Sequence, residues 1–107
     1  FATLSAKVGS ISDNRYGGWY SYRASKAALN QMIKTASIEL KMKNKSAICV
    51  AIHPGTVTSK LSKPFHKDNL KIQSNEESAK NITEVITGLK ASDSGLFFNW
   101  NGSIINW

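Results

Sequence analysis

The chain has 107 residues, with 14 Lys and Arg against 7 Asp and Glu, and a net charge of +7. That length builds one small domain with a modest core, and no apolar run reaches the 18 residues that a transmembrane helix needs. Its lysines are scattered over Lys34–Lys45 and Lys60–Lys71 with no arginine cluster and no interleaved aromatics, so the charge reads as a solvated basic surface rather than a nucleic-acid footprint.

Phe1–Ser5 is short and apolar and reads as the end of a buried strand. A chain that begins with Phe1 inside a strand is expected to be a fragment. Ala6–Trp19 holds Gly9, Ser10, Ser12, Asp13, Asn14, Gly17 and Gly18, a loop composition. From Tyr20 to about Met42 the pattern predicts one long helix. Ala24, Ala28, Met32, Ala36 and Leu40 recur every four residues, widened by Leu29 and Ile33. Ser46–His53 is a continuous apolar run, as expected of a strand covered on both faces. Its Cys49 is the only cysteine, so there is no internal disulfide. A buried, inert thiol suits a reducing, cytoplasmic setting. Pro54-Gly55 stops the strand.

Thr56–Ser74 is polar, rich in Lys and Ser, and long for a connection, which predicts a lid or substrate loop, with disorder as the competing reading. Asn75 followed by Glu76 and Glu77 marks a helix start with acids in its first turn. The apolar face Ala79, Ile82, Val85, Ile86 and Leu89 carries that helix to about Leu89. Ser92–Gly95 is a turn, Leu96-Phe97-Phe98 a short strand, and Asn101-Gly102 a second turn before Ile104–Trp107. The fold class is therefore α/β: strand, helix, strand, loop, helix, strand, the C-terminal half of a doubly wound parallel sheet of the Rossmann type. A helix between two such strands implies a right-handed parallel crossover. No Gly-x-Gly-x-x-Gly occurs. That glycine-rich turn is expected in an N-terminal half that precedes residues 1–107.

Within Tyr20-Ser21-Tyr22-Arg23-Ala24-Ser25-Lys26, Tyr22 and Lys26 are four apart and share one helix face. At pH 7 only ~0.1% of an unperturbed tyrosine, with a pKa of about 10, is phenolate. A fixed positive charge nearby favours the phenolate. Such a tyrosine can give a proton to a carbonyl oxygen or take one from an alcohol. Two helix-surface residues that happen to be four apart are the plainer alternative. Tyr16 and Tyr20 are poorer candidates, because the residues four ahead of them are Tyr20 and Ala24.

With Ser5-Ala6-Lys7-Val8-Gly9-Ser10 upstream, small residues Ala24, Ser25, Ala27 and Ala28 around Lys26, and Pro54-Gly55-Thr56-Val57-Thr58 downstream, the chain resembles the short-chain dehydrogenase/reductase family along its whole length. Gly17-Gly18-Trp19-Tyr20 and the Trp-rich tail resemble its C-factor and Sniffer-type carbonyl reductase branch. The resemblance implies an NAD(P)-dependent oxidoreductase, moving hydride between a nicotinamide and a carbonyl or alcohol carbon. Tyr22 would be its acid/base and Lys26 the residue that binds the nicotinamide ribose. Pro54, Gly55, Val57 and Thr58 would contact the nicotinamide, and Tyr22 and Lys26 also count as cofactor-binding. The cofactor is NAD or NADP, and the substrate a small carbonyl or alcohol. It also implies a homodimer or homotetramer through the Tyr20–Met42 helix. The family serine falls on Ala6, which leaves Ser10, twelve residues before Tyr22, as the candidate replacement. His53, between a buried strand and Pro54, reads as a structural histidine. His66 has no Cys or acidic partner at ligand spacing, so no metal is expected. The rival readings are a non-catalytic or signalling member of the same fold, favoured by Ala6, and a basic nucleic-acid module.

Overall fold

The structure, a computed structural model, describes residues 1–57 and 72–107. In chain order its elements are β1 (Ala2–Leu4), α1 (Tyr20–Lys43), β2 (Val50–His53), β3 (Thr56–Val57), β4 (Ile72–Gln73), α2 (Asn75–Thr87) and β5 (Phe97–Asn99), with 3-10 turns at Lys7–Gly9 and Ala91–Asp93. Strands β1, β2 and β5 form one sheet in the order β1-β2-β5. Both pairings are parallel, with Leu4 opposite Ile52 and Ile52 opposite Phe98. The expected order of strand and helix holds. The strands are shorter than the apolar runs that announced them, because Ile48 and Cys49 join the core from outside the ladder.

Alternation along one run explains why Ile48–Ile52 is apolar throughout. Cys49 and Ala51 face α1, in a core with Ile33, Phe97 and Ile105. Val50 and Ile52 face the other way, packing with Phe98 against Ile82, Val85 and Leu89 at α2 and just beyond it. Successive strand side chains point to opposite faces, so a sheet covered on both sides needs apolar residues at every position. Fully burying a side chain such as Ile52 or Phe97 contributes about 1.5–3 kcal/mol. Beyond β5 the chain turns at Gly102 and comes back antiparallel, bridging Phe98 to Ile104. The Trp107 ring then stacks on Phe97, with centroids 5.4 Å apart.

Ser74 ends the polar stretch by capping α2, its hydroxyl accepting from the Glu77 N–H at 3.1 Å. This cap orients the helix and satisfies one of its orphan donors. The proposed lid lies mostly in residues 58–71, outside the described residues. Its two ends are not loop but a short parallel pair, Thr56 opposite Ile72 and Val57 opposite Gln73.

One expectation holds only in part. Of the apolar stripe of α1, Ile33 is buried and Leu29 and Ala36 pack against the core, but Met32 is 61% exposed, Leu40 is exposed, and Ala24 and Ala28 lie open. The buried residues are Asn30, Ile33 and Ser37. Two of them are polar and small enough for close approach. Asn30 Oδ1 accepts the Ser5 hydroxyl at 2.6 Å. Ser37 sits where a methyl on Gly95 would come within 2.8 Å of its Oγ. Hydrophobicity alone found Leu29, Ile33 and Ala36 but carried the stripe too far round the helix. Among the described residues no helix is long and apolar enough to cross a membrane.

Candidate active site

All three strands of the parallel sheet release the chain at the same end, into Ser5-Ala6, Pro54-Gly55 and Trp100. In open α/β sheets that end is where ligands bind. Tyr22 and Lys26 lie in the first two turns of α1, the helix that follows β1. Lys26 Nζ stands 5.9 Å from the centroid of the Tyr22 ring. Tyr22 is 41% exposed, so its ring is reachable from solvent. The pair thus shares one face, as its spacing required.

The helix begins without a side-chain cap. Gly17, Gly18 and Trp19 all have positive φ, at 66, 73 and 52 degrees. A left-handed tryptophan is strained, by roughly 1 kcal/mol or more. Arg23 offsets this strain with its whole guanidinium fork. Nε donates to Gly18 O at 2.9 Å, Nη2 to Gly17 O at 3.1 Å and Nη1 to Val8 O at 3.3 Å. A cation in the first helical turn opposes the helix dipole; here it is held by three backbone carbonyls instead. Arg23 therefore joins the turn after β1 to the loop that leads into Tyr22.

That turn, Lys7–Gly9, presses against α1. A methyl built on Gly9 would lie 2.8 Å from Lys26 C and Cβ and 3.1 Å from Ala27 N. The opposite end of the turn is held by His53. Its Nδ1 accepts from the Lys7 N–H at 3.1 Å. Burial lowers the His53 pKa to about 4, helped by the Lys7 ammonium and opposed by Asp13. His53 is therefore neutral near pH 7, and with Nδ1 accepting, its proton sits on Nε2.

Ala6 and Ser10 are both buried. The Ser10 hydroxyl donates to Asn106 O, lies 3.3 Å from Ser12 Oγ, and accepts from the Asp13 N–H at 3.2 Å. It fastens the chain's tail to the loop after β1.

After β2, Pro54 and Gly55 turn the chain into β3. Gly55 has φ +78, and a side chain there would collide with Gln73 Nε2 and reach 2.8 Å from Trp100 Cδ1. Val57 lies in β3 at the same end of the sheet. Thr58 falls outside the described residues.

Known proteins share both sequence and fold with this chain. No family model matches it. It is 32% identical to C-signal of Myxococcus xanthus over 106 residues, which is 99% of this chain and 60% of that protein. Among solved structures, the NADPH-bound carbonyl reductase from chicken fatty liver superposes with a TM-score of 0.82 at 33% identity, over 99% of this chain and 42% of that one. The carbonyl reductase Sniffer of D. melanogaster gives 0.84 at 31% identity, over 99% of this chain and 41% of that one. The chain's homologues are oxidoreductases of the short-chain dehydrogenase/reductase family. The chain spans three fifths or less of the length of these relatives.

Three residues of this candidate site were missed from sequence: Arg23, Asn30 and Gln73. Arg23 left a signal, a cation where the helix dipole disfavours one. Asn30 did too, since Tyr22, Lys26, Asn30, Ile33 and Ser37 follow the helical period and trace the inward face. Gln73 left none, because its polar neighbourhood resembles any loop.

Proposed function

We propose that the protein carrying this chain is an NAD(P)-dependent oxidoreductase acting on a small carbonyl or alcohol. The observation that carries this reading is the Tyr22–Lys26 pair, on one face of α1 at the ligand-binding end of a parallel sheet. The NADPH named for the chicken enzyme supports the choice of cofactor. The residues present fit the nicotinamide end of such a dinucleotide. They offer a phenol, an ammonium and a glycine turn that brings backbone close. When bound, the cofactor supplies or accepts the hydride. In this reading Tyr22 gives a proton to the carbonyl oxygen, or takes one from the alcohol, through its hydroxyl. Lys26 holds the nicotinamide ribose and favours the phenolate by its charge. Pro54, Gly55, Val57 and Thr58 form the turn against the nicotinamide. The glycine-rich pyrophosphate turn belongs to a part of the polypeptide preceding residues 1–107. The open stripe Ala24, Ala28 and Met32 on α1 is the surface through which two copies would associate.

Tyr22→Phe in the full-length protein is expected to abolish turnover and leave dinucleotide affinity within about threefold, since only a hydroxyl is removed. Near-normal turnover would rule out Tyr22 as the proton donor.

One observation favours a second reading, a non-catalytic member of the fold. Ala6 offers no hydroxyl, and that of Ser10 is bound to the tail at Asn106. Losing an oxyanion-type donor reduces rates by about 10²–10³. Hydride transfer to a panel of aldehydes and ketones separates the two readings.

A further inference from the structure

We infer that Gln73 is a positioning residue for the turn after β2, setting dinucleotide affinity through the backbone of Pro54 and Gly55; this rests on the oxidoreductase reading. Gln73 is completely buried, the largest buried polar side chain among the described residues. Both ends of its amide are used. Nε2 donates to Pro54 O at 3.1 Å, and Oε1 accepts from Asn81 Nδ2 at 2.8 Å. Asn81 lies on α2, and Ser74, next to Gln73, caps that same helix. A rigid helix is thus tied through two amides to one carbonyl of the turn.

That carbonyl matters because of peptide geometry. The Pro54–Gly55 peptide is trans and planar, so its oxygen and its N–H point in opposite directions. Holding Pro54 O fixes the direction of the Gly55 N–H. Packing adds a second constraint. Gly55, in the left-handed region at φ +78, is wedged between the Gln73 amide and Trp100. Gln73 also pairs with Val57 across β3 and β4. The turn is therefore held from Pro54 to Val57 by one side chain and its own strand. A buried amide bonded at both ends is directional where an apolar side chain of the same size is not.

The test uses the full-length protein that carries this chain, with NADPH and NADH titrations, thermal melts and steady-state kinetics. Gln73→Leu keeps the volume but leaves Pro54 O and the Asn81 amide without this partner. It is expected to weaken dinucleotide binding about tenfold, with the kinetic loss falling mainly on KM for the cofactor. Gln73→Glu carries the decisive signature. Its carboxylate cannot donate to Pro54 O, but its acid form can, while still accepting from Asn81. At this fully buried position desolvation raises a carboxyl's pKa by several units, so the affinity of Gln73→Glu relative to wild type should be at or below that of Gln73→Leu at pH 8 and recover as pH falls to 6. His53 stays neutral in the folded protein across that window, with its pKa near 4. A packing role alone gives no such recovery. Asn81→Ala, which removes only the far partner, should weaken binding about threefold and decides the matter if the Gln73 variants do not fold. Wild-type affinity in a folded Gln73→Leu or Asn81→Ala protein, or a flat pH ratio for folded Gln73→Glu, overturns the inference alone. A wild-type protein that binds neither dinucleotide overturns it together with the oxidoreductase reading.

Discussion

His53 acts through one nitrogen. Nδ1 can accept from the Lys7 N–H only while unprotonated, and burial keeps it so, with a pKa near 4 against an ordinary 6.5. The folded protein therefore holds the neutral ring where the unfolded chain takes up a proton. The resulting stability is whole above about pH 6.5 and declines as pH falls toward 4, by up to about 3 kcal/mol. His53→Asn offers an amide oxygen to the same N–H without a titratable ring. In the full-length protein, thermal midpoints between pH 7 and 5 should fall more steeply for wild type than for His53→Asn. Parallel curves would show that His53 does not carry the acid sensitivity. The histidine's role was legible in sequence because a strand end followed by proline leaves few alternatives. The partner of Ser10 was not. Spacing to Tyr22 says nothing about Asn106, which lies 96 positions away and meets the hydroxyl only after the tail folds back over β5. Long-range polar contacts of this kind have no local pattern to read.

At the scale of elements, the site depends on how closely the turn after β1 approaches α1. Gly9 makes that approach possible, because Lys26 and Ala27 present backbone rather than a flexible side chain to it. Gly9→Ala must push the turn and helix apart by a few tenths of an ångström or more. Overpacking of this kind costs about 1–3 kcal/mol. Because the displaced residue is Lys26 itself, the same change should lower turnover at least tenfold in protein that remains folded. A melt and a rate within error of wild type would mean that the two elements separate freely. The elements themselves were largely legible. Helix α1 was expected over Tyr20 to about Met42 and runs Tyr20–Lys43, and α2 begins at Asn75 as its acidic first turn announced. The face of α1 was legible only at Leu29, Ile33 and Ala36, because alanine is as much at home on an exposed helix as in a core. What decides the face is the sheet. Ser5 and Gly95 need small or polar neighbours, and Asn30 and Ser37 supply them.

Among the described residues, the three-stranded sheet has two covered faces and, at β1, an edge that invites pairing. Among the described strands, β1 pairs only with β2. At that edge Phe1 is 77% and Leu4 is 54% exposed. Beneath it the Asn30 amide nitrogen is buried and has no hydrogen-bond partner among the described residues. An unpartnered buried donor costs about 1–3 kcal/mol, and an open apolar strand edge is a template for wrong pairing. Net stabilities of small domains are only a few kcal/mol, so these losses are large on that scale. Carbonyl reductases of the same fold are more than twice the length of this chain, which covers 42% of the chicken enzyme. The 107 residues alone are therefore expected to melt broadly, without a cooperative transition, and to bind neither NADH nor NADPH. In the full-length protein a further strand would pair with β1 and a carbonyl would meet the Asn30 amide, so a sharp melt and dinucleotide binding should both return. Circular dichroism during heating and cofactor titration, run on both polypeptides, check this. A sharp transition with tight dinucleotide binding by residues 1–107 would show that the edge of β1 needs no partner and that the phosphates are held without a glycine-rich turn.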